Sequence, residues 1–194
     1  EAAVKSAVLL KNGAPGAPVL PLTAAPTIAV VGIDQDFTLV SSSVPTSCTS
    51  DEDTSQDTTN SRECTFHFAT DPALGDRGSS RVNADPARSY GPFHGIQQIA
   101  GPERTVTSGN SAAAAEAADT VVVIVGYTPG DEGEEYYLAE GGDRKSLDLP
   151  PGHNELVTQV LDQNKPTVII VQSGSIVNLP WLSHPNQNQA TIWA

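Results

Sequence analysis

The chain of 194 residues has no methionine, two cysteines and few aromatic residues, which make up 5% of the sequence. Its apolar runs are short, and the longest, Val121–Val125, falls far below the roughly 20 residues that a membrane helix needs. Basic residues are also scarce, since 10 Lys and Arg stand against 23 Asp and Glu, for a formal net charge of −13. An acidic surface repels phosphate groups, so we expect neither nucleic acid nor membrane as a partner.

The two cysteines, Cys48 and Cys64, flank a polar and acidic stretch. A disulfide that closes a loop this short would stabilise the fold by about 3 kcal/mol in the chain-entropy model. Such a bridge favours an exported protein, so we predict a secreted or periplasmic location. Two unpaired thiols in a cytosolic chain are the alternative. No signal peptide is visible, and the missing initial Met leads us to expect a processed or partial chain.

Three nearly continuous apolar runs predict strands that are buried on both faces: Thr27–Ile33, Thr120–Gly126 and Pro166–Gln172. Helical patterns lie between and around them, at residues 2–11, 91–100, 111–118 and 153–163. Shorter strands are predicted at 104–108 and 190–194. Strands that alternate with helices predict an α/β fold with parallel strands and right-handed crossovers. Ligand sites in such sheets lie at the carboxyl ends of the strands.

Two stretches have little apolar character. Residues 41–90 are rich in Ser, Thr and Asp, and we predict mostly loop there, with residues 34–74 as a loop-rich insertion. The second stretch follows the Thr120–Gly126 run and contains DEGEEYYLAEGGD, called here the acidic segment (residues 131–143). A long loop at the carboxyl end of a buried strand is a candidate functional loop.

Three blocks in order give the chain a resemblance to a known family. They are AVKSAVLLKNG with LPL and IAVVG at residues 3–32, GDRGSSRV with GPFHGI at 75–96, and ADTVVVIVG, EGGDRKSLDLPPGHNELV and PTVIIVQSGSIVNLPW at 118–181. Together they resemble the C-terminal domain of family 3 glycoside hydrolases of the β-glucosidase type. The resemblance implies one domain over residues 1–194, a three-layer α/β/α sandwich around a mostly parallel sheet of about six strands. It also implies truncation at both ends.

The resemblance implies a divided active site. In the family, an N-terminal barrel carries an aspartate nucleophile, and the second domain supplies the acid/base carboxylate from the loop before the DR block. This sequence contains no barrel, so no nucleophile can be named, and the chain alone is expected to be inactive. Glu140, three residues before Asp143, matches the family's shorter pattern, whereas Glu134 or Glu135 would match its longer one.

The acidic segment has the composition that this chemistry needs. Retaining hydrolysis uses two carboxyl groups about 5–5.5 Å apart, and the acid among them needs a raised pKa. Crowded negative charges and partial burial both raise the pKa of a carboxyl group. Tyr136 could stack on a sugar face. We therefore expect part of a retaining, exo-acting β-glycosidase, with the barrel and an oligo- or disaccharide as partners.

Other residues have a functional and a structural interpretation. Asp143 and Arg144 are interpreted as an ion pair that pins the loop. Asp76 and Arg77 could face a sugar cleft between the domains, or form a local turn. Trp181 is a possible sugar platform, although a buried tryptophan is commoner. The D-x-D-x-S-x-D stretch at 51–57 lacks the glycine of a calcium loop, so we expect no metal and no cofactor.

Two further functions compete with the glycosidase hypothesis. The same fold could serve as a non-catalytic carbohydrate-binding or assembly module, because fold does not determine function. A nucleotide-binding domain would fit the strand pattern. However, no glycine fingerprint follows the first buried run, which argues against it.

Overall fold

The computed structural model describes residues 2–22, 25–32, 34–40, 61–67, 90–127 and 146–194. Within 34–40 and 61–67 only the backbone is described. Three α-helices are present in this part of the chain: α1 (Ala2–Ser6), α2 (Pro92–Ala100) and α3 (His153–Leu161). The strands are β1 (Val8–Asn12), β2 (Thr27–Gly32), β3 (Asp34–Val40), β4 (Ser61–His67), β5 (Thr105–Gly109), β6 (Thr120–Gly126), β7 (Thr167–Gln172) and β8 (Gln189–Trp193). Two short 3₁₀ helices span Ala112–Ala115 and Pro180–Ser183.

Six strands form one sheet in the order β1-β8-β7-β6-β2-β5. The five strands from β8 to β5 run parallel, and β1 pairs antiparallel with β8 at the edge. The prediction of a mostly parallel sheet of about six strands is confirmed. Since β2, β6, β7 and β8 are neighbours and parallel, their carboxyl ends lie at the same edge of the sheet.

Apolar side chains cover both faces of this sheet. One face packs Val121, Val123 and Val125 of β6 against α3, together with both 3₁₀ helices. The other face packs Val122 and Ile124 against side chains of α2 and of residues 19–22. Every residue of β6 is buried, which is why its sequence shows no polar alternation. The three-layer sandwich expected from the sequence is therefore confirmed.

A separate antiparallel pair lies between β2 and α2 along the chain. Strands β3 and β4 pair in register from Asp34 opposite His67 to Val40 opposite Ser61. The prediction that residues 41–90 are mostly loop is wrong for Ser61–His67. Its SRECTFH sequence lacks the apolar run by which a buried strand is predicted. Pairing with β3, which the local sequence does not indicate, makes it a strand.

The amino-terminal prediction of one helix over residues 2–11 is also wrong. Helix α1 ends at Ser6, and Val8–Asn12 forms the edge strand β1. Ala3, Ala7 and Leu10 fit a helical period, but pairing with β8 fixes Val8–Asn12 as a strand. Short apolar runs of this kind are ambiguous between helix and strand, and tertiary pairing decides between them.

The Ala-rich stretch after Ser111 forms less helix than predicted. Only Ala112–Ala115 is helical, as a 3₁₀ turn, and the Ser111 side chain makes no capping hydrogen bond. Strand β6 begins at Thr120, five residues after the turn ends at Ala115, and Ala115 is fully buried. Tertiary packing over so short a connection overrides the high helix propensity of alanine.

Asn12 explains the NG and LPL parts of the first sequence block. Its Oδ1 accepts the backbone N–H groups of Val19 and Leu20 at 3.0 and 2.8 Å, and its Nδ2 donates to Leu20 O at 3.2 Å. Gly13 has φ 71°, and a Cβ there would lie 2.2 Å from Ala17 O. Asn12 and Gly13 thus fold residues 13–20 back onto the end of β1, which places Val19 and Leu20 against the core.

Lys165, which lies between α3 and β7, binds the carbonyl groups at the end of the 3₁₀ turn Ala112–Ala115. Its Nζ donates to the carbonyl oxygens of Ala115 and Ala118 at 2.9 and 2.8 Å, and to that of Glu116. Lys11 makes a simpler contact of this type, in which its Nζ donates to Leu182 O at 3.0 Å.

We expect Lys165→Met to lower the free energy of unfolding by about 2 kcal/mol, because carbonyl groups at the end of the turn lose a charged donor. Lys11→Met, the matched control with one such bond, is expected to cost less. Urea unfolding of the purified protein measures both values. Equal losses for the two variants would show that the contact with three carbonyl groups contributes no more to the free energy of unfolding than a single lysine–carbonyl hydrogen bond.

Candidate active site

The carboxyl ends of β6 and β7 meet at one edge of the sheet. Tyr127 N, directly after β6, donates to Gln172 O, the last residue of β7, at 3.0 Å. Gly126 has φ 155°, and a Cβ at this position would lie 2.1 Å from the same oxygen. A side chain there is therefore excluded, and the two strand ends approach closely at the point where the chain leaves β6 toward the acidic segment.

Most of the residues that the sequence singled out lie outside the described residues. These are Glu134, Glu135, Tyr136, Glu140, Asp143 and Arg144 of the connection after β6, Asp76 and Arg77, and Cys48. Cys64 lies in β4, where its backbone is opposite Phe37. The roles assigned to these residues remain predictions. The structure does describe both ends of the connection that contains the acidic segment.

Asp148 is the centre of a hydrogen-bond network where the connection returns. Its Oδ1 accepts Asn178 Nδ2 at 2.8 Å, and its Oδ2 accepts Ser146 Oγ at 3.0 Å. Its N–H donates to Ser146 Oγ at 3.0 Å, and its carbonyl oxygen accepts the Tyr127 hydroxyl. We call these four residues, Tyr127, Ser146, Asp148 and Asn178, the Asp148 network. The hydrogen bonds from Asn178 and Ser146 lower the pKa of Asp148.

The loop after β7 forms the third side of the network. Asn178 N donates to Leu147 O at 2.7 Å, so backbone and side chain of Asn178 both bind the returning connection. Ser173 Oγ donates to Ser175 O at 2.6 Å and shapes the turn that follows β7. Trp193 of β8 donates its Nε1–H to Ser173 O at 3.0 Å. Through Asn178, the connections after β6 and β7 are joined at the carboxyl edge of the sheet.

His153 connects the first turn of α3 to the end of β6. The side chain is fully buried, and its Nδ1 accepts the backbone N–H of Gly126 at 3.2 Å. Burial lowers the pKa of His153 to about 4, although the charge of Glu155 acts in the opposite direction. A neutral ring with an unprotonated Nδ1 is the form that can accept this bond.

Sequence reasoning had placed His153 near a helix start, but it did not identify His153, Asp148 or Asn178 as parts of this edge. All three residues lie in the stretches LDLPPGH and SGSIVN, which follow predicted strands or loops at the carboxyl edge of the sheet. Their position at this edge is the signal that could have identified them. Trp181 is 2% exposed and belongs to the core, so the interpretation as a buried tryptophan is confirmed and the alternative of a sugar platform is wrong.

No cluster of three or more His, Cys, Asp or Glu side chains in that part of the chain is arranged to hold a metal ion. None of the helices found there has the length and apolar character required to cross a membrane.

The fold and the edge define a class of protein: an α/β sandwich domain with an acidic connection that starts at the carboxyl end of a fully buried parallel strand. Residues 7–194 match the model of the glycosyl hydrolase family 3 C-terminal domain. The match covers nearly all of the chain, so the chain belongs to this family.

Curated relatives agree with this assignment. The chain is 38% identical over 100 residues to a probable β-glucosidase I from Aspergillus flavus, a match that covers 52% of this chain and 11% of that protein. It is 49% identical over 63 residues to a probable β-glucosidase J from Neosartorya fischeri, covering 32% of this chain and 7% of the relative. The matched part is thus about a tenth of the length of these relatives.

Solved structures show the same architecture. The β-D-glucoside glucohydrolase from Trichoderma reesei superimposes with a TM-score of 0.66 at 25% identity, covering 96% of this chain and 24% of that chain. A β-glucosidase from Listeria innocua, crystallised with glucose, gives a TM-score of 0.63 at 21% identity, covering 99% of this chain and 22% of the other. This chain therefore corresponds to about a quarter of those molecules.

His153 predicts how stability depends on pH. The folded protein holds the pKa of His153 at about 4, below the ordinary 6.5, so the unfolded chain binds more protons between these values. The contribution of neutral His153 is complete above pH 6.5 and is lost as the pH falls toward 4, by up to about 3 kcal/mol.

Urea unfolding at a series of pH values measures this loss. We expect His153→Gln to flatten the curve between pH 6.5 and 4, because no imidazole remains to be protonated. His94→Gln is the control, since His94 is an exposed histidine of α2, and this variant should keep the slope. A His153→Gln curve that is parallel to the unmodified one would contradict the assignment.

Proposed function

We propose that this chain is the domain of a retaining, exo-acting β-glycosidase that supplies the general acid/base carboxylate and part of the sugar-binding cleft. The observation that carries this proposal is the place of the acidic segment. The chain belongs to the family 3 C-terminal domains, and the acidic segment lies in the connection that starts at the carboxyl end of β6. Ligand sites of parallel sheets lie at such ends. The printed names of the relatives, which are β-glucosidases, support the same reaction class.

The proposed mechanism is a double displacement. A carboxylate on a barrel domain of the same enzyme attacks the anomeric carbon, while a glutamate of the acidic segment protonates the departing glycosidic oxygen. The same glutamate then takes a proton from the water that releases the sugar. Because the nucleophile belongs to the barrel, this chain alone is expected to be inactive. The substrate is an oligo- or disaccharide with a non-reducing β-linked sugar.

Among the candidate acids, Glu140 is our first choice. It stands three residues before Asp143 of the DR block, and Glu134 and Glu135 are the alternatives in a longer loop pattern. Six carboxyl groups crowd the 13 residues of the acidic segment, and such crowding raises the pKa of a carboxyl group toward the range of a general acid. Asp143 with Arg144 would hold the loop, and Tyr136, Asp76 and Arg77 would contact sugar.

The position of the acid has a direct kinetic test in the full-length enzyme. Glu140→Gln removes the proton donor but keeps the shape of the side chain. We expect kcat/KM for an alkyl β-glucoside, whose leaving group needs a proton, to fall by about 10²–10⁴-fold. An activated dinitrophenyl glucoside needs no proton, so its glycosylation step should change by less than about tenfold.

Glu134→Gln and Glu135→Gln are the matched controls, since they remove the same group from the same segment. The variant with the strong dependence on the leaving group identifies the acid. Equal losses on both substrates for all three variants would refute an acid in this segment. Unchanged activity in all three would favour a non-catalytic module instead.

We also propose that the protein is exported and that Cys48 and Cys64 form a disulfide. The short polar stretch of sequence between them and the stabilisation that a bridge would give support this pairing. Under denaturing conditions without reductant, a thiol reagent should label neither cysteine, and peptide mapping should recover the linked pair. Rapid labelling of both cysteines before reduction would contradict the pairing.

A further inference from the structure

Asp148 uses each of its hydrogen-bonding groups at the carboxyl edge of the sheet. The N–H and Oδ2 bind Ser146, Oδ1 binds Asn178, and the carbonyl oxygen binds Tyr127. These partners come from three different segments: the exit from β6, the return toward α3 and the loop after β7. One residue therefore sets the relative positions of all three segments.

The connection with the acidic segment begins and ends in this network. Tyr127 is the last described residue before it, and Ser146 is the first described residue after it. The bond from the Tyr127 hydroxyl to Asp148 O joins the two ends of the connection directly. The bond from Asn178 then attaches this closed base to the β7 side of the edge. Leu149, next to Asp148, is buried and anchors the returning end of the connection in the core.

The contribution of this network to global stability should be small. Asp148 and Asn178 are exposed, and a single hydrogen bond contributes only about 0.5–1.5 kcal/mol net. Position is a different matter, because a misplacement of about 1 Å can cost about 10²-fold in catalytic rate. A contact that is weak for folding can therefore be strong for catalysis when it fixes the base of a catalytic loop.

We infer that Asp148 and Asn178 are positioning residues, whose side-chain hydrogen bond sets where the acid/base carboxylate of the acidic segment stands over the sugar. This inference rests on the proposed function, and it adds residues that neither touch the sugar nor exchange protons with it. Asp148 acts through the base of the connection, and Asn178 acts through Asp148.

The chemistry of the pair allows a swap experiment in the full-length enzyme. Asn178→Asp replaces the amide donor with a second carboxylate, 2.8 Å from Oδ1 of Asp148, so the two groups repel each other at neutral pH. Asp148→Asn combined with Asn178→Asp restores the bond in reverse, with the amide now on residue 148.

We expect Asn178→Asp to lower kcat for an alkyl β-glucoside by about ten- to a hundredfold, with little change in KM. The glycosylation rate for a dinitrophenyl glucoside should change by less than about threefold, because that step does not need the acid. The double variant should recover the alkyl glucoside rate to within about threefold. Asn188→Asp, the same change at an exposed position directly before β8, is the control and should have no effect.

Each outcome decides the inference. Equal losses on both substrates, or a loss that the double variant does not recover, would assign the pair to structure alone and overturn the inference. An unchanged Asn178→Asp enzyme would overturn it as well. If Glu140, Glu134 or Glu135 shows the leaving-group effect and Asn178→Asp does not, only this inference fails. If none of those glutamates shows the effect, the proposed function fails and the inference falls with it.

Discussion

Burial of the central strands on both faces is the constraint on which the rest of the structure depends. Strands β2, β6 and β7 have helices or core segments above and below them, so they consist almost entirely of Val, Ile and Ala. Parallel strands need long crossovers, and the crossovers return each strand to the same starting edge. All irregular connections that leave the carboxyl ends are thereby brought to one edge. The acidic segment belongs to one of these connections.

Polar contacts then fix the relative positions of the chain segments that meet at this edge. Gly126 lets β6 approach Gln172 closely, and buried His153 accepts the N–H of Gly126 from the start of α3. Asp148 binds the two ends of the connection to each other and to Asn178. The connection that contains the acidic segment therefore leaves from and returns to one hydrogen-bonded base.

Much of the fold could be predicted from the sequence, because its strongest signal is also its strongest energetic term. Runs such as TVVVIVG can be buried only as central strands, and α2 and α3 followed from Pro92 and from the spacing of Leu156, Val160 and Leu161. The errors share one cause. In β1, in β4 and in the turn after Ser111, pairing or packing with distant residues overrides the local pattern.

The candidate site was less accessible to sequence reasoning. The acid was suggested by resemblance, through the DR block, and the choice among Glu134, Glu135 and Glu140 remains a prediction. Asp148 and Asn178 are 30 positions apart, and Gly126 and His153 are 27 apart. No local pattern indicates such pairs, because only the parallel order of β6 and β7 and the packing of α3 bring them together.

A crystal structure of the full-length enzyme with its nucleophile trapped on a sugar measures the central claim most directly. The account predicts that a carboxyl group of the acidic segment lies about 5–5.5 Å from the nucleophilic carboxylate, on the side of the departing oxygen. A trapped complex in which every carboxyl group of residues 131–143 lies more than about 10 Å from that carboxylate, beyond even the separation used by inverting enzymes, would contradict it.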